Sequence, residues 1–178
     1  MLNKIDTQKS SIIIDLRYAS TNNIFEKKLY HQSQNFLHPD ALEKLYKASK
    51  IAQDLGYKLK IWDAYRPLEI QQFMFDNFSD NPQMQSFFSN PKTGAIPHCR
   101  GIAVDVTLVN SENNIELPMG SDFDELSDLA HHNCIKISQD QQRNRLILLG
   151  IMTLSGFDFY SKEWWHYQLF NPRQYQVI

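Results

Sequence analysis

Two histidines and one aspartate are the strongest candidates for chemistry in this sequence of 178 residues. His98, Asp105 and His166 carry imidazole and carboxylate groups, which bind zinc well, and catalytic zinc usually has three protein ligands and one open position. Gly101, between the first two, allows the chain to turn from a loop into a strand. Spacing alone does not separate metal binding from coincidence, so the zinc site is a hypothesis that neighbouring residues must support.

A carboxylate beside the second histidine extends the hypothesis to hydrolysis. Glu163 begins the run Glu-Trp-Trp-His that ends at His166, and metal-assisted hydrolysis needs a base that takes a proton from water and returns it to the leaving amine. If Glu163 lies in a turn before a strand, both side chains can reach one site. If the whole run is extended, they point to opposite faces. The alternative is a surface glutamate followed by an aromatic core strand.

Arg66 is a further candidate, because a guanidinium can stabilise the negative charge that develops on the peptide oxygen during hydrolysis. It follows Asp63 at a predicted strand-to-helix junction, which Pro67 makes rigid. The competing interpretation is an ion pair between Arg66 and Asp63 or another surface acid, which is the commoner use of an arginine.

The hydrophobic pattern predicts the elements that must position these residues. Strands are predicted over 10–16, 57–62, 101–108 and 164–170, a loop over 17–23, and helices over 39–55, 67–78 and 138–154. Helices and strands follow one another without a regular βαβ rhythm. We therefore expect an α+β fold, with an antiparallel or mixed central sheet and flanking helices, in a single domain over 1–178.

Two of these elements carry clear local signals. Along the strand over 101–108, one face carries Ile102, Val104, Val106 and Leu108, and the other carries Ala103, Asp105 and Thr107. Asp105 therefore points away from the aliphatic set, into a second layer or a cleft, where an unpaired carboxylate is costly to bury. Ser138 and Gln141 form a capping box at the start of the last helix, and Gly156 ends it.

The composition excludes several classes of protein. The formal net charge is -2, from 18 Lys and Arg against 20 Asp and Glu, which does not fit nucleic-acid binding. No run approaches the ~20 apolar residues of a membrane span. Two cysteines are too few for a disulfide framework and suit a reducing compartment. The N-terminus has no apolar secretory stretch, so we expect a cytoplasmic protein, whose oligomeric state the residues do not indicate.

Five motifs occur in a fixed order along most of the chain. They are RYASTNN at 17–23, DAYRP at 63–67, HCRGIAVD at 98–105, MGSDFDE at 119–125 and EWWH at 163–166. Together they resemble the D-alanyl-D-alanine dipeptidases, the VanX-type enzymes of the zinc D-Ala-D-Ala peptidase superfamily, whose fold hedgehog signalling domains share. The resemblance spans roughly residues 12–170.

The resemblance implies hydrolysis of D-Ala-D-Ala, or of a closely related small D-amino-acid dipeptide, with one zinc ion per chain. It also assigns roles to individual residues: zinc ligation to His98, Asp105 and His166, general base and then acid catalysis to Glu163, stabilisation of the tetrahedral intermediate to Arg66, and recognition of the free amino end to Asp124 with Tyr18. An ammonium group needs a fixed carboxylate, and demanding one excludes longer chains.

One position departs from the family pattern, which usually has serine two residues before the first zinc histidine. Ile96 stands there, and its side chain offers a substrate no hydrogen bond. Two alternatives to the dipeptidase remain. One is a peptidoglycan D,D-carboxypeptidase or L,D-endopeptidase with the same metal set, which needs an open cleft and usually export. The other is a non-catalytic zinc-binding interaction module.

Overall fold

A mixed five-stranded sheet forms the centre of the fold in the computed structural model, which describes residues 1–8 and 10–178. The strands are β1 (Asn3–Lys4), β2 (Ile12–Ile14), β3 (Phe36–Leu37), β4 (Tyr57–Asp63), β5 (Ala103–Asn110), β6 (Asp158–Phe159) and β7 (His166–Gln168). The sheet order is β2-β4-β5-β7-β6, with β2 parallel to β4 and the other neighbours antiparallel. β1 and β3 form a separate antiparallel pair. The predicted mixed central sheet is confirmed.

Helices complete the predicted α+β architecture. Within the described residues they are α1 (Pro39–Asp54), α2 (Leu68–Asn77), α3 (Pro82–Gln85) and α4 (Gln139–Leu154). The three long helices match their predicted spans to within one residue at each end. In α4, Ser138 Oγ accepts from the Gln141 backbone nitrogen at 3.2 Å, and Gln141 Oε1 accepts from the Ser138 nitrogen at 2.8 Å. The predicted capping box is therefore confirmed, and Gly156 follows the helix with a φ of 100°.

Strand β5 is buried along almost its whole length, and its predicted alternation holds. Val104, Val106 and Leu108 are fully buried within the hydrophobic core. Asp105, on the opposite face, is 3% exposed and lines a cavity. The carboxylate thus points into a cleft, as its place in the pattern predicts.

The last strand is shorter than the predicted 164–170. β7 begins only at His166, because the two tryptophans before it lie in a turn in which the Glu163 carbonyl accepts from the His166 nitrogen at 3.3 Å. Glu163 therefore stands outside the strand, in the geometry that lets it share a site with the histidine. The strand predicted over 10–16 is also shorter, because β2 spans only Ile12–Ile14. Arg17–Ala19, for which a loop is predicted, form a 3-10 helix.

The sequence does not predict β1, β3, β6 or α3, because elements of two to four residues carry no periodic signal. One of them matters for the site. β6 pairs with β7 on the side away from β5, so the short β7 is hydrogen-bonded along both edges. Within residues 1–8 and 10–178, no helix is both long and apolar enough to cross a bilayer.

Candidate active site

The three candidate metal ligands converge from two strands and one turn. Asp105 in β5 and His166 in β7 are direct partners in the antiparallel register, so their side chains are neighbours on one face of the sheet. His98 lies in the 3-10 turn Pro97–Arg100 just before β5. Gly101 joins this turn to the strand with a φ of 65°, a conformation that residues with a Cβ rarely adopt.

The donor atoms of these residues have the spacing of a tetrahedral metal site. His166 Nδ1 is 3.0 Å from Asp105 Oδ1, His98 Nε2 is 3.4 Å from the same oxygen, and the two ring nitrogens are 3.3 Å apart. Zinc bonds of about 2.0–2.1 Å give a tetrahedral edge of about 3.3–3.4 Å. All three residues are buried, and their spacing therefore fits a single ion.

The outer nitrogens of both imidazoles face hydrogen-bond acceptors. His98 Nδ1 donates to the Ala64 carbonyl at 2.7 Å, and His166 Nε2 donates to Gln168 Oε1 at 3.1 Å. A neutral imidazole carries one N–H, so in the tautomers that make these bonds His98 Nε2 and His166 Nδ1 are lone pairs that face each other. Two lone pairs and a carboxylate repel one another unless a cation lies between them. The residues therefore fit a divalent metal.

Asp105 is held in its ionised form despite its burial. Burial by itself raises the pKa of the carboxyl group, but the His98 and His166 rings, when they are protonated and donate to Asp105, more than reverse this. The pKa of Asp105 consequently lies below its ordinary value. Arg66 Nη2 adds a positive charge 3.8 Å from the second oxygen, Oδ2. An anionic ligand is what a cation site requires.

Glu163 lies next to these ligands, in the turn before β7. Its Oε2 atom is 3.9 Å from His166 Nδ1, and its side chain keeps 17% of its surface exposed. Burial raises the pKa of Glu163 to about 7, an effect that the His166 ring opposes and the Asp105 and Asp124 charges reinforce. A carboxyl group with a pKa near neutrality can both accept and return a proton.

Arg66 forms the ion pair that the sequence offered as the alternative, and this pair fixes it at the cavity. Its Nε and Nη2 atoms donate to Asp63 Oδ2 at 3.0 and 2.7 Å, and Nη1 donates to Gln71 Oε1 at 2.9 Å. Tyr30 donates to the other Asp63 oxygen at 2.6 Å. Burial disfavours the charged guanidinium, but Asp63 more than offsets this, so the pKa of Arg66 lies above its ordinary value. The ion pair with Asp63 is therefore compatible with a role for Arg66 in stabilising negative charge on the peptide oxygen.

Tyr18 and Asp124 form a direct pair at the same cavity. The Tyr18 hydroxyl donates to the carboxylate, at 2.8 Å from Oδ2 and 3.0 Å from Oδ1. Asp124 has a φ of 58°, in a left-handed region that aspartate enters more readily than most residues. Burial raises the pKa of Asp124 to about 7, although the Tyr18 hydrogen bond opposes this. A carboxylate held by a phenol, rather than by a cation, is suited to receive an ammonium group.

The loop 119–131, which carries Asp124, is fastened by an arginine that the sequence analysis does not single out. Arg145 in α4 is fully buried. It donates to three backbone carbonyls near the two ends of the loop, at 2.5, 2.8 and 2.8 Å, those of Met119, Leu129 and His131. Burial lowers the pKa of Arg145 to about 10. The available signal was its helical spacing from Leu148 and Met152, which places a charge on the apolar face of α4.

One cavity of about 310 Å³ brings all the predicted site residues together. Its lining includes Tyr18, Arg66, His98, Asp105, Asp124, Glu163 and His166. Aromatic residues form much of the remaining wall, including Phe87, Tyr160 and Trp165. Ile96 is 3% exposed, and its neighbour Ala95 lines the cavity in its place. A cavity of this size suits a small molecule with a few charged groups.

Known proteins resemble this chain over most of its length. A family model described as D-ala-D-ala dipeptidase matches residues 4–176. The D-alanyl-D-alanine dipeptidase of Escherichia coli (strain K12) is 39% identical, over 93% of this chain and 82% of the relative. The enzyme of that name from Enterococcus faecium is 34% identical, over 87% of this chain and 84% of the relative.

A solved structure supports the fold independently. The LdcB LD-carboxypeptidase superposes with a TM-score of 0.50 at 18% identity, over 82% of this chain and 65% of that one. At this identity the likeness concerns the fold alone. The α+β architecture and the family resemblance predicted from the sequence are confirmed, and the chain belongs to the D-ala-D-ala dipeptidase family of M15 peptidases.

Proposed function

We propose that the chain is a zinc-dependent dipeptidase that hydrolyses D-alanyl-D-alanine or a closely related small D-amino-acid dipeptide. The observation that carries the proposal is the meeting of three metal-donor atoms, 3.0–3.4 Å apart, with a glutamate and an arginine at one cavity. The substrate is suggested by the relatives from Escherichia coli and Enterococcus faecium, which are named D-alanyl-D-alanine dipeptidases.

His98, Asp105 and His166 would hold the zinc ion through Nε2, Oδ1 and Nδ1. Imidazole and carboxylate together are an ordinary ligand set for catalytic zinc. When bound, the ion polarises the peptide carbonyl and acidifies water at the site. The hydrogen bonds from the outer ring nitrogens to Ala64 and Gln168 hold both rings in the orientation that ligation needs.

Glu163 acts first as the general base and then as the general acid. Its carboxylate, beside His166, takes a proton from the attacking water. It then delivers this proton to the nitrogen of the departing residue as the C–N bond breaks, and two free amino acids result. The raised pKa of Glu163, about 7, allows the carboxyl group to carry the proton between these two steps.

Arg66 binds the negative charge that develops in the reaction, and the Asp124–Tyr18 pair binds the positive charge of the substrate. Arg66 donates to the oxygen on which negative charge accumulates, and it does so without reorganisation because Asp63 already holds the guanidinium. Asp124 receives the ammonium end of the dipeptide, and Tyr18 fixes the carboxylate. In a peptide extended at its amino end an uncharged amide would occupy the place of the ammonium group, so such peptides are excluded.

A substrate panel tests the proposal. We expect the zinc-loaded protein to cleave free D-alanyl-D-alanine, to reject the N-acetylated dipeptide, and to lose activity to a chelator until zinc is returned. The L,L-dipeptide of the same composition controls for stereochemistry. Failure to cleave any dipeptide after zinc reconstitution would refute the enzymatic function. Recovery with another metal but not with zinc would refute the choice of zinc.

The same panel separates the two alternatives. A peptidoglycan carboxypeptidase or endopeptidase would accept blocked or longer peptides, whereas the Asp124–Tyr18 pair favours a substrate with a free amine. A non-catalytic module would bind zinc without turnover. The single domain over 1–178 and the cytoplasmic location stay predictions.

A further inference from the structure

The two imidazoles of the metal site are oriented by different kinds of group. His98 Nδ1 donates to a backbone carbonyl, that of Ala64. His166 Nε2 donates to a side-chain amide oxygen, that of Gln168. A carbonyl offers only an acceptor, whereas a glutamine amide can present a donor or an acceptor. The orientation of Gln168 therefore affects His166 in a way that has no counterpart at His98.

His166 has two neutral tautomers, and the structure offers a partner to each. With the hydrogen on Nε2, the ring donates to Gln168 and leaves the Nδ1 lone pair free. With the hydrogen on Nδ1, the ring donates to Asp105 Oδ1, which is 3.0 Å away. If Gln168 offered no acceptor, only the second tautomer would have a partner, and the hydrogen on Nδ1 would block the atom that faces the metal site.

The strand holds Gln168 where its amide oxygen supports the first tautomer. Gln168 follows His166 by two residues in β7, so both side chains lie on the same face. Its backbone is paired on both edges, with Ala103 in β5 and with Asp158 in β6. The side chain lines the same cavity as the metal ligands. The amide oxygen is consequently held 3.1 Å from the outer nitrogen of the ring.

We propose that Gln168 is a positioning residue whose amide oxygen favours the His166 tautomer that leaves Nδ1 open to the metal. This inference rests on the proposed metal site and extends it, since it names the group that prepares one ligand before the ion arrives. If the acceptor is removed, metal binding must also move the hydrogen from Nδ1. Loss of an outer hydrogen bond of this kind typically weakens metal binding by about 10–100-fold.

Metal affinity measures this role without reference to catalysis. In competition against a chelator, Gln168→Leu should bind zinc about 10–100-fold more weakly than the wild-type protein. Gln168→Glu keeps an acceptor in place and should bind at least as tightly as wild type. Gln83→Leu, at an exposed position in α3, is the matched control. Equal affinities of Gln168→Leu and wild type would overturn the proposal, as would equal losses in the two Gln168 variants.

Nitrogen NMR of the metal-free protein, at a pH where the rings are neutral, reads the tautomer directly. The fraction of His166 with its hydrogen on Nε2 should be larger in wild type and Gln168→Glu than in Gln168→Leu. His98 should stay protonated on Nδ1 throughout. An unchanged His166 ratio would overturn the role of Gln168 and leave the proposed function intact. Failure of the wild-type protein to bind zinc would overturn the metal site and this role together.

Discussion

The two halves of the candidate site are built in different ways. The metal half contains His98, Asp105 and His166, which stand on a short turn and on two paired strands. The recognition half contains Tyr18 and Asp124, which stand on a 3-10 turn and in a loop. Backbone ladder hydrogen bonds define the positions in the first half, whereas side chains define those in the second.

This difference gives the two halves different tolerances to substitution. Strand pairing distributes the backbone positions of Asp105 and His166 over several hydrogen bonds, so a side chain such as Gln168 orients one ring without determining where its strand lies. The loop around Asp124 instead depends on Arg145, which binds three of its carbonyls. We therefore expect metal binding to be abolished only at the ligands, and recognition to be weakened from a distance as well.

Removal of a metal ligand has the largest expected effect. His166→Ala should lose stoichiometric zinc and all measurable turnover, because two ligands hold the ion far less firmly than three. Elemental analysis of the purified variant measures the metal, and a dipeptide assay measures the turnover. His31→Ala, at an exposed position, should keep both. One zinc per chain in His166→Ala would contradict the ligand assignment.

Removal of the base should separate chemistry from metal binding. Glu163→Gln should lower kcat by about 10²–10⁴-fold while zinc remains bound, because an amide cannot accept the proton from water. Zinc content and kcat are measured on the same preparation, with Glu112→Gln at an exposed site as the control. Turnover within a few-fold of wild type would remove Glu163 from the mechanism.

A change in the recognition half should act on KM more than on kcat. Asp124→Asn should raise KM for the free dipeptide by about 10–100-fold, since a hydrogen bond to a charged group contributes about 1.5–3 kcal/mol. The preference for the free over the N-acetylated dipeptide should shrink in parallel. Asp122→Asn, an exposed neighbour in the same loop, is the control. An unaltered preference would place amine recognition elsewhere.

The smallest effect is expected at Arg145, which holds the loop 119–131 and lies outside the cavity wall. Arg145→Lys keeps the charge but loses part of the hydrogen bonding, and should raise KM by about 3–10-fold with little change in kcat. Arg145→Met should also lower the free energy of unfolding by about 1–3 kcal/mol, because buried carbonyls lose their donor. Arg143→Lys, on the exposed side of α4, is the control. A loss of stability with KM unchanged would make Arg145 purely structural.

The parts of the fold that sequence reasoning predicted are those whose signals are local. The capping box of Ser138 and Gln141 determines where α4 begins, and Gly56, with a φ of 82°, follows the end of α1. Each of these depends on residues a few positions apart. The motifs also named the residues of the site, but not the contacts between them. Asp105 and His166 meet across 61 positions of sequence, and periodicity does not identify a strand's partner.

The two features that the sequence did not predict correctly, the turn at Trp164 and Trp165 and the role of Arg145, depend on contacts outside their own segments. Trp164 and Trp165 have strong strand propensity, yet they lie in the turn that brings Glu163 beside His166. Strand propensity describes how well a side chain fits a pleated sheet, and it does not indicate where the backbone turns. Arg145 interrupts the apolar face of α4, and its role is evident only from the loop carbonyls to which it donates.

The turn before β7 also determines where Glu163 stands relative to the metal ligands. One residue inserted or deleted between Glu163 and His166 would break the turn hydrogen bond from the His166 nitrogen to the Glu163 carbonyl and would move the glutamate away from the histidine. Asp105 and His166 would stay neighbours through the β5–β7 register, so such a change would remove the base and leave the three metal donors in place. In relatives and engineered variants, the length of this turn is therefore a guide to hydrolysis rather than to metal binding.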